Sequence, residues 1–377
     1  MMKNNMRCYA ACSFGLEAVV ARELKNLGIE NIVSRDARVY FDADAEQLAA
    51  ANIWLSAADR VYVVVGEFEA HTFDELFEGV RSLPWADYLP KDASFPVNGD
   101  AVRADLMSVS DIQSITKKAI VEKLKAAYGV SFFKESGWEF PVYVNNLANK
   151  VTVSLNASGQ GLNRRGYRIR NCKAPIRETL AAGIIRLSRW YDRPFYDIMC
   201  GSGTIAIEAA LKAQNRAPGL YRKFAAERWD DALAEAFRVQ REKADDLFVK
   251  HPDIEIFASD IDPEMVEMTR FHARKAGVED IIDISRADAT KFEPKTAMGT
   301  LISNPPYAMR LGEKDEVQHL YKNLGKVFRE LKDFRYYFIC ADENFSKTFG
   351  IREDKKRKLY NGNIRCHLYQ YFRKQDD

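Results

Sequence analysis

From residue 178 onward, short apolar runs of strand length alternate with longer stretches of helical period. This alternation constrains the fold more than any other feature of the chain. Strands are expected at Phe195–Met199, Glu255–Ser259, Ile281–Ser285, Gly299–Ser303, Tyr336–Cys340 and His367–Phe372. Helices are expected at Glu178–Trp190, Thr204–Gln214, Pro263–Ala276 and Val317–Leu331. The pattern points to an α/β doubly wound layer with a mostly parallel sheet. In such sheets ligands bind in the crevice beyond the carboxyl ends of the strands. The residues that follow each strand are therefore the ones to read for chemistry.

The first half reads differently. A strand at Arg7–Cys12 leads into an amphipathic helix over 13–28, with Ser13 to cap it and Gly28 to end it. Strands at Val39–Phe41 and Val61–Phe68 and a helix at Leu48–Ala58 complete a small α+β unit over 1–66. A second unit, 67–157, holds a strand at Phe95–Ala104, a helix over 110–129 and a hairpin of Val142–Asn146 with Lys150–Asn156. Ser110 and Gln113 have capping-box spacing, and Gly129 suits the helix end. Between Arg164 and Arg177 there are six basic residues and no acidic one, which marks a basic linker over 158–177. The last domain is 178–377, with a charged insertion at 215–253.

Several classes are excluded. The six cysteines form no CxxC, and the five histidines form no HExxH, so neither a disulfide framework nor a metal site is expected. No run of 18 apolar residues exists, and the start has no apolar core before a cleavage site. A cytoplasmic monomer without metal or membrane attachment is the expectation. The net charge of +2 leaves a nucleic-acid partner open.

Four segments follow the strands. Asp197-Ile198-Met199-Cys200-Gly201-Ser202-Gly203-Thr204 ends one strand and opens a helix, and its glycines let a ligand approach the backbone. It lacks the third glycine of a dinucleotide fingerprint and the GK[ST] of a phosphate loop. Cys200 there reads as a small packing residue. Next, in Asp260-Ile261-Asp262-Pro263, Asp262 reads as a helix cap and Asp260 as an acceptor for ribose hydroxyls. Asp288-Ala289 follows the third strand, where a carboxylate can accept from an adenine amine. Asn304-Pro305-Pro306-Tyr307 follows the fourth. Two prolines fix two φ angles and remove two donors. The Asn304 side-chain oxygen and the Pro305 carbonyl are then rigid acceptors for the N–H groups of an exocyclic amine, and Tyr307 offers a ring for stacking.

The order of these four segments resembles that of the class I S-adenosylmethionine-dependent methyltransferases. More closely, DIMCGSGT, SDIDP and NPPY, together with SDIQSITKKAIVEKL, SGQGLNRRGYR, APIRETLAAG and KLYNG, resemble the THUMP-domain RNA methyltransferases of the bacterial 23S rRNA guanine-N2 (RlmL) family. The resemblance implies a Rossmann-like methyltransferase domain preceded by ferredoxin-like and THUMP units, with S-adenosylmethionine as cofactor and RNA, 23S rRNA in particular, as partner. It implies cofactor contacts at Asp197, Met199, Cys200, Gly201, Ser202, Gly203, Thr204, Asp260, Ile261, Asp288, Ala289 and Asn304, with Pro175 and Thr179 closing over them. Asn304, Pro305, Pro306 and Tyr307 carry the catalytic role. The chain departs from the family at Asn156-Ala157, at Asn163 and at Ala308-Met309.

Direct in-line methyl transfer needs no base beforehand, and no His or Cys adjoins the tetrapeptide. A base inside a duplex must be flipped to reach the crevice, at a cost of a few kcal/mol. Lys117, Lys118, Arg164, Arg165 and Arg168 are the candidate phosphate contacts, although an arginine run can also pin two domains together. KKRK at 355–358 can touch RNA or merely solvate a strand end. The motifs leave open an N6-adenine methyltransferase on DNA or RNA, a tRNA guanine-N2 enzyme, and a non-catalytic RNA-binding assembly factor.

Overall fold

The computed structural model describes residues 5–169, 175–307 and 314–372. Arg170, Cys172, Lys173, Ala308 and Met309 lie outside them. The chain forms two compact units. One comprises residues up to Ala11, then Ala21–Leu162 and Gly219–Lys243; the other comprises Cys12–Val20, Asn163–Pro218 and Ala244 onward. The insertion is thus divided, and its middle belongs to the N-terminal unit.

The N-terminal unit is built on one seven-stranded sheet of order β2-β3-β1-β4-β7-β6-β5. Its strands are β1 (Met6–Cys12), β2 (Val33–Arg35), β3 (Arg38–Ala43), β4 (Ala58–Glu69), β5 (Val97–Val102), β6 (Val142–Leu147) and β7 (Lys150–Asn156). The first part is therefore β-α-β-β-α-β, with the exposed three-residue β2 unseen in the sequence. β4 runs through residues 66 and 67 without a break, and a bulge at Val64/Gly66 falls there instead. Helix α1 is Glu17–Asn26, four residues shorter at its start than the apolar spacing suggests. The reason is Gly15, at φ +94, whose side an added Cβ would press to 2.7 Å from the Lys358 carbonyl. Helix α2 (Ala45–Trp54) carries an Asp44/Gln47 capping box. Helix α3 (Phe73–Ser82), with its Thr72/Glu75 box, also escaped the sequence reading. Helix α4 is Val109–Tyr128. Ser110 lies inside its first turn, so the expected Ser110 cap is replaced by Ser108, which makes no side-chain capping bond; Gly129 does end it, at φ +63. From the insertion, Trp229 stacks on Phe140 at 5.4 Å and 11°, and its indole donates to the Glu139 carbonyl at 3.1 Å.

The second unit holds the other seven-stranded sheet, of order β10-β9-β8-β11-β12-β14-β13. The strands β8 (Phe195–Asp197), β9 (Ile256–Asp260), β10 (Ile282–Arg286), β11 (Gly299–Ser303) and β12 (Phe334–Cys340) are parallel. β14 (Ile364–Tyr371) returns antiparallel beside β12, and β13 (Lys355–Asn361) closes the edge. The chain fills the sheet outward from β8 through β9 to β10, then jumps back to β11 on the other side of β8. That reversal opens a crevice at the strand ends. Helices α5 (Glu178–Leu187), α6 (Thr204–Ala213), α8 (Pro263–Ala276) and α9 (Lys314–Arg329) cover this sheet, and α7 (Asp231–Asp246) lies in the insertion. α8 is bounded as its sequence dictates: Asp262 caps it, Pro263 opens it and Gly277 ends it at φ +67. An aromatic core of Tyr321, Phe328, Phe338, Phe345 and Phe349 fills the space behind β11 and β12.

Candidate active site

β8 ends at Asp197 and the chain turns through Gly201 (φ +52) and Gly203 (φ +83) into α6. These left-handed conformations favour glycine. The turn is braced from behind by α8. Thr269 Oγ1 donates to the Gly201 carbonyl at 2.8 Å, and the His272 ring nitrogen Nδ1 lies 2.9 Å from the Ser202 carbonyl. A Cβ on Gly203 would come within 2.7 Å of Thr269 Cγ2, whereas one on Gly201 would meet nothing within 4 Å. Gly201 therefore faces open space and Gly203 faces its support. Thr269 and His272 are fully buried. Their spacing of three on the inner face of a helix is that of ordinary core, so no sequence signal separated them from it.

The acidic residues divide the work. Asp197 is buried and its Oδ1 accepts from Ser303 Oγ at 2.6 Å; the same hydroxyl accepts from the Met199 N–H at 3.1 Å. Ser303, the last residue of β11, thus ties the glycine turn to the start of the tetrapeptide. Burial, reinforced by nearby Asp260, pushes the Asp197 carboxyl up to about 7 despite the Ser303 bond. Asp260 accepts from the Gly201 N–H at 2.9 Å and the Asp262 N–H at 3.0 Å, one on each oxygen. A carboxylate has about four acceptor positions, so each oxygen keeps one for a hydroxyl. Asp262 accepts from the Glu264 N–H at 2.8 Å, as a cap does. One oxygen of Asp288 takes both the Thr290 N–H and its hydroxyl, which hold its carboxyl below the ordinary range.

Asn304 to Tyr307 leave β11 without regular structure. The buried Tyr321 donates its hydroxyl to the Pro306 carbonyl at 2.6 Å. This anchor also lies on a distant element, α9. A cavity of about 840 Å³ is walled by both halves of the motif set: Asp197 to Ser202 and Thr204 on one side, Asn304 to Tyr307 on the other, with Pro175, Asp260, Ile261, Asp288 and Ala289. That size suits a nucleoside-sized ligand. Of the expected cofactor residues, Gly203 and Thr179 do not reach it; Thr179 is buried inside α5. Apolar wall residues that the sequence reading passed over include Met265, Met268 and Leu320.

The basic candidates are largely claimed by partners. The Arg165 side chain is 3% exposed and bridges Glu208 with two nitrogens, at 3.2 and 3.3 Å, while Tyr167 donates to the same carboxylate at 3.0 Å. Arg168 pairs with Glu178 at 3.0 Å and donates to the Ile176 carbonyl at 2.9 Å. In the N-terminal unit, Lys117 pairs with Glu135, donates to the Phe95 carbonyl at 2.9 Å and lies 3.6 Å from the centre of the Phe95 ring. The expectation of a phosphate contact is corrected for Arg165, whose buried side chain is held by Glu208; Lys117 and Arg168 keep part of their side chains exposed beside their counter-charges. Arg164 and Lys118 are exposed. The run 355–358 forms edge strand β13, with Arg357 donating to the Gly15 carbonyl at 2.9 Å.

Comparison with known proteins agrees with this geometry. A model of an RMKL-like methyltransferase domain matches residues 165–370, an RlmL ferredoxin-like domain matches 7–62, and a THUMP domain matches 70–156. The chain belongs to the RlmK/L-like methyltransferase family. A Bacillus subtilis protein with the provisional name RNA methyltransferase YpsC is 42% identical over 97% of this chain and 95% of its own. The ribosomal RNA large subunit methyltransferase K/L of Shewanella amazonensis is 30% identical over 96% of this chain; the chain spans about half (52%) of that protein's length. A solved structure provisionally described as a methyltransferase, complexed with S-adenosylhomocysteine, superposes with a TM-score of 0.92 at 41% identity and full coverage of both chains. A Listeria monocytogenes structure provisionally described as an N6-adenine-specific DNA methylase gives 0.91 at 41% identity, covering 98% of this chain and 96% of its own.

The cofactor of this family member is S-adenosylmethionine, and the residues fit it. Asp197 Oδ2 is buried in the cavity wall and has no hydrogen-bond partner among the described residues. Among the described residues, nothing lies within 4 Å of where a Gly201 Cβ would stand, so a ligand can approach the backbone there, and Asp260 keeps acceptor positions free for hydroxyls. Among the described residues, no helix is long and apolar enough to cross a membrane.

Proposed function

We propose that the chain methylates an exocyclic amino group of an RNA base, guanine N2 of 23S rRNA being the target. The observation that carries this reading is the single cavity walled by the glycine turn, Asp260 and the Asn304–Tyr307 tetrapeptide. The cofactor supplies an electrophilic methyl group on a sulfonium. Asp197 and Asp260 hold its polar groups, Gly201 lets it approach the backbone, and Asp288 is the acceptor on the side of its base. Asn304 and the Pro305 carbonyl accept the N–H groups of the target amine and turn its lone pair toward the methyl. Ser303 and Tyr321 anchor the chain on either side of those acceptors, at residue 303 and at the Pro306 carbonyl, and Tyr307 presents its ring to the base. Fixing amine and methyl in attack geometry supplies roughly 7–11 kcal/mol of the barrier reduction. RNA as the substrate is supported by the THUMP match and by the names of the relatives.

Loss of one methyl group from rRNA of a deletion strain, read by mass spectrometry and restored by the purified protein, is the expected result. Asn304→Ala should abolish transfer while S-adenosylhomocysteine affinity stays within about threefold, since only one of several cofactor-wall groups changes. A mutant that keeps most of its turnover removes the role given to that side chain. A second reading, adenine N6, is favoured by the description of the Listeria structure, and the acceptor pair suits either amine. Tritiated methyl transfer offered to rRNA, tRNA and DNA separates them.

A further inference from the structure

The geometry points to Asn361 as a positioning residue that fixes one wall of the cavity, the Pro175–Arg177 segment, through one side-chain amide. Asn361 is half-buried and does not itself line the cavity, whereas Pro175, Ile176 and Tyr307 do. Its Oδ1 accepts from the Arg177 N–H at 3.2 Å, and its Nδ2 donates to the Pro175 carbonyl at 3.3 Å. One planar amide thus serves a donor and an acceptor two residues apart, as a neighbouring strand would. Pro175 has no N–H, so its carbonyl is the group by which this backbone can be held there. An amide has two N–H donors and two acceptor positions, enough for both contacts.

The place of Asn361 in the fold makes it a stiff support. It is the last residue of β13, paired with Ile364 across a turn of only two residues, Gly362 and Asn363. Gly362 takes φ +62, and a Cβ there would lie 3.7 Å from the Arg177 guanidinium. Short hairpin turns with a glycine at positive φ leave the flanking residue little freedom. Asn361 therefore sets how far the Pro175 backbone stands over the cofactor. The inference rests on the cofactor assignment above.

The test is calorimetric titration with S-adenosylhomocysteine, beside melting temperatures and methyl-transfer kinetics on rRNA from the deletion strain. Asn361→Ala should weaken S-adenosylhomocysteine binding about five- to tenfold, the scale of one lost hydrogen bond. It should raise KM for S-adenosylmethionine more than it lowers kcat, because the lost contacts hold the cofactor wall. Asn363→Ala, on the same exposed turn, should leave affinity and kcat unchanged. If Asn361→Ala does not fold, Asn361→Asp serves: it can still accept from Arg177 but has no donor for Pro175, and it too should weaken binding about fivefold. A folded Asn361→Ala or Asn361→Asp variant that binds within twofold of wild type overturns the proposal. Wild-type protein that does not bind S-adenosylhomocysteine would instead remove the cofactor assignment, so the two failures are distinct.

Discussion

Asp197 is the residue whose surroundings decide most. Its carboxyl is desolvated, one oxygen is held by Ser303 and the other has no partner among the described residues. With a folded-state value of about 7 against an ordinary 3.8, the folded protein binds a proton that the unfolded chain has lost between those values. The stability of the free protein should therefore fall as pH rises from about 4 to about 7. A cationic group placed against Asp197 favours its ionised form. If only that form binds, affinity scales as 1/(1 + 10^(7−pH)), a rise of about tenfold from pH 6 to pH 8. Calorimetry with S-adenosylhomocysteine at the two pH values checks this, and Asp197→Asn should flatten the difference. A wild-type affinity that does not change with pH would show that the carboxyl is already ionised in the free protein. The sequence showed Asp197 as a motif member but could not show this chemistry. Its partner Ser303 lies 106 residues away and looks like any serine at a strand end.

The same distance effect operates at the level of elements. Strands and helices of the second unit were legible because their apolar periods are clean: β11 and α8 fall where the spacing places them. The edge elements were not. β2 is exposed throughout, and β13 begins with four consecutive basic residues, so neither shows the burial pattern that betrays a strand. Cations were misread for a related reason. The run Arg164–Arg168 has no acid nearby in sequence, yet Glu208 on α6 and Glu178 on α5 meet two of its arginines. Arg165→Ala should leave Glu208 buried and unpaired, costing about 3–5 kcal/mol. Its melting temperature should fall by several degrees, at pH 7 and at high salt alike, because the pair is screened from solvent. A variant that melts like wild type but binds RNA more weakly would return Arg165 to the RNA surface. For phosphate contacts Lys117, Lys118, Arg164 and Arg168 remain candidates, Lys118 and Arg164 being the exposed ones.

Across the whole molecule, the linear order of segments and the order of folding units differ. A composition shift near residue 159 suggested a single seam, but the second unit contains Cys12–Val20 and the first contains Gly219–Lys243. No local signal reveals this, because Trp229 is in an otherwise charged insertion and its stacking partner Phe140 is 89 residues earlier. Removing that ring should cost the N-terminal unit about 3–5 kcal/mol, as large aromatic truncations in cores do. Trp229→Ala should therefore lower the first thermal transition while S-adenosylhomocysteine binding by the second unit remains as in wild type. Equal weakening of ligand binding would mean that the two units do not melt separately.

The exchanged segments also bear on how the protein is made. A ribosome delivers residues in order, so the first sheet stays without its Trp229 cover until residue 243 has left the exit tunnel. A gene cut at the basic linker would yield two fragments, each carrying a piece that belongs to the other. Neither should be soluble alone, and co-expression of the two should recover what separate expression loses.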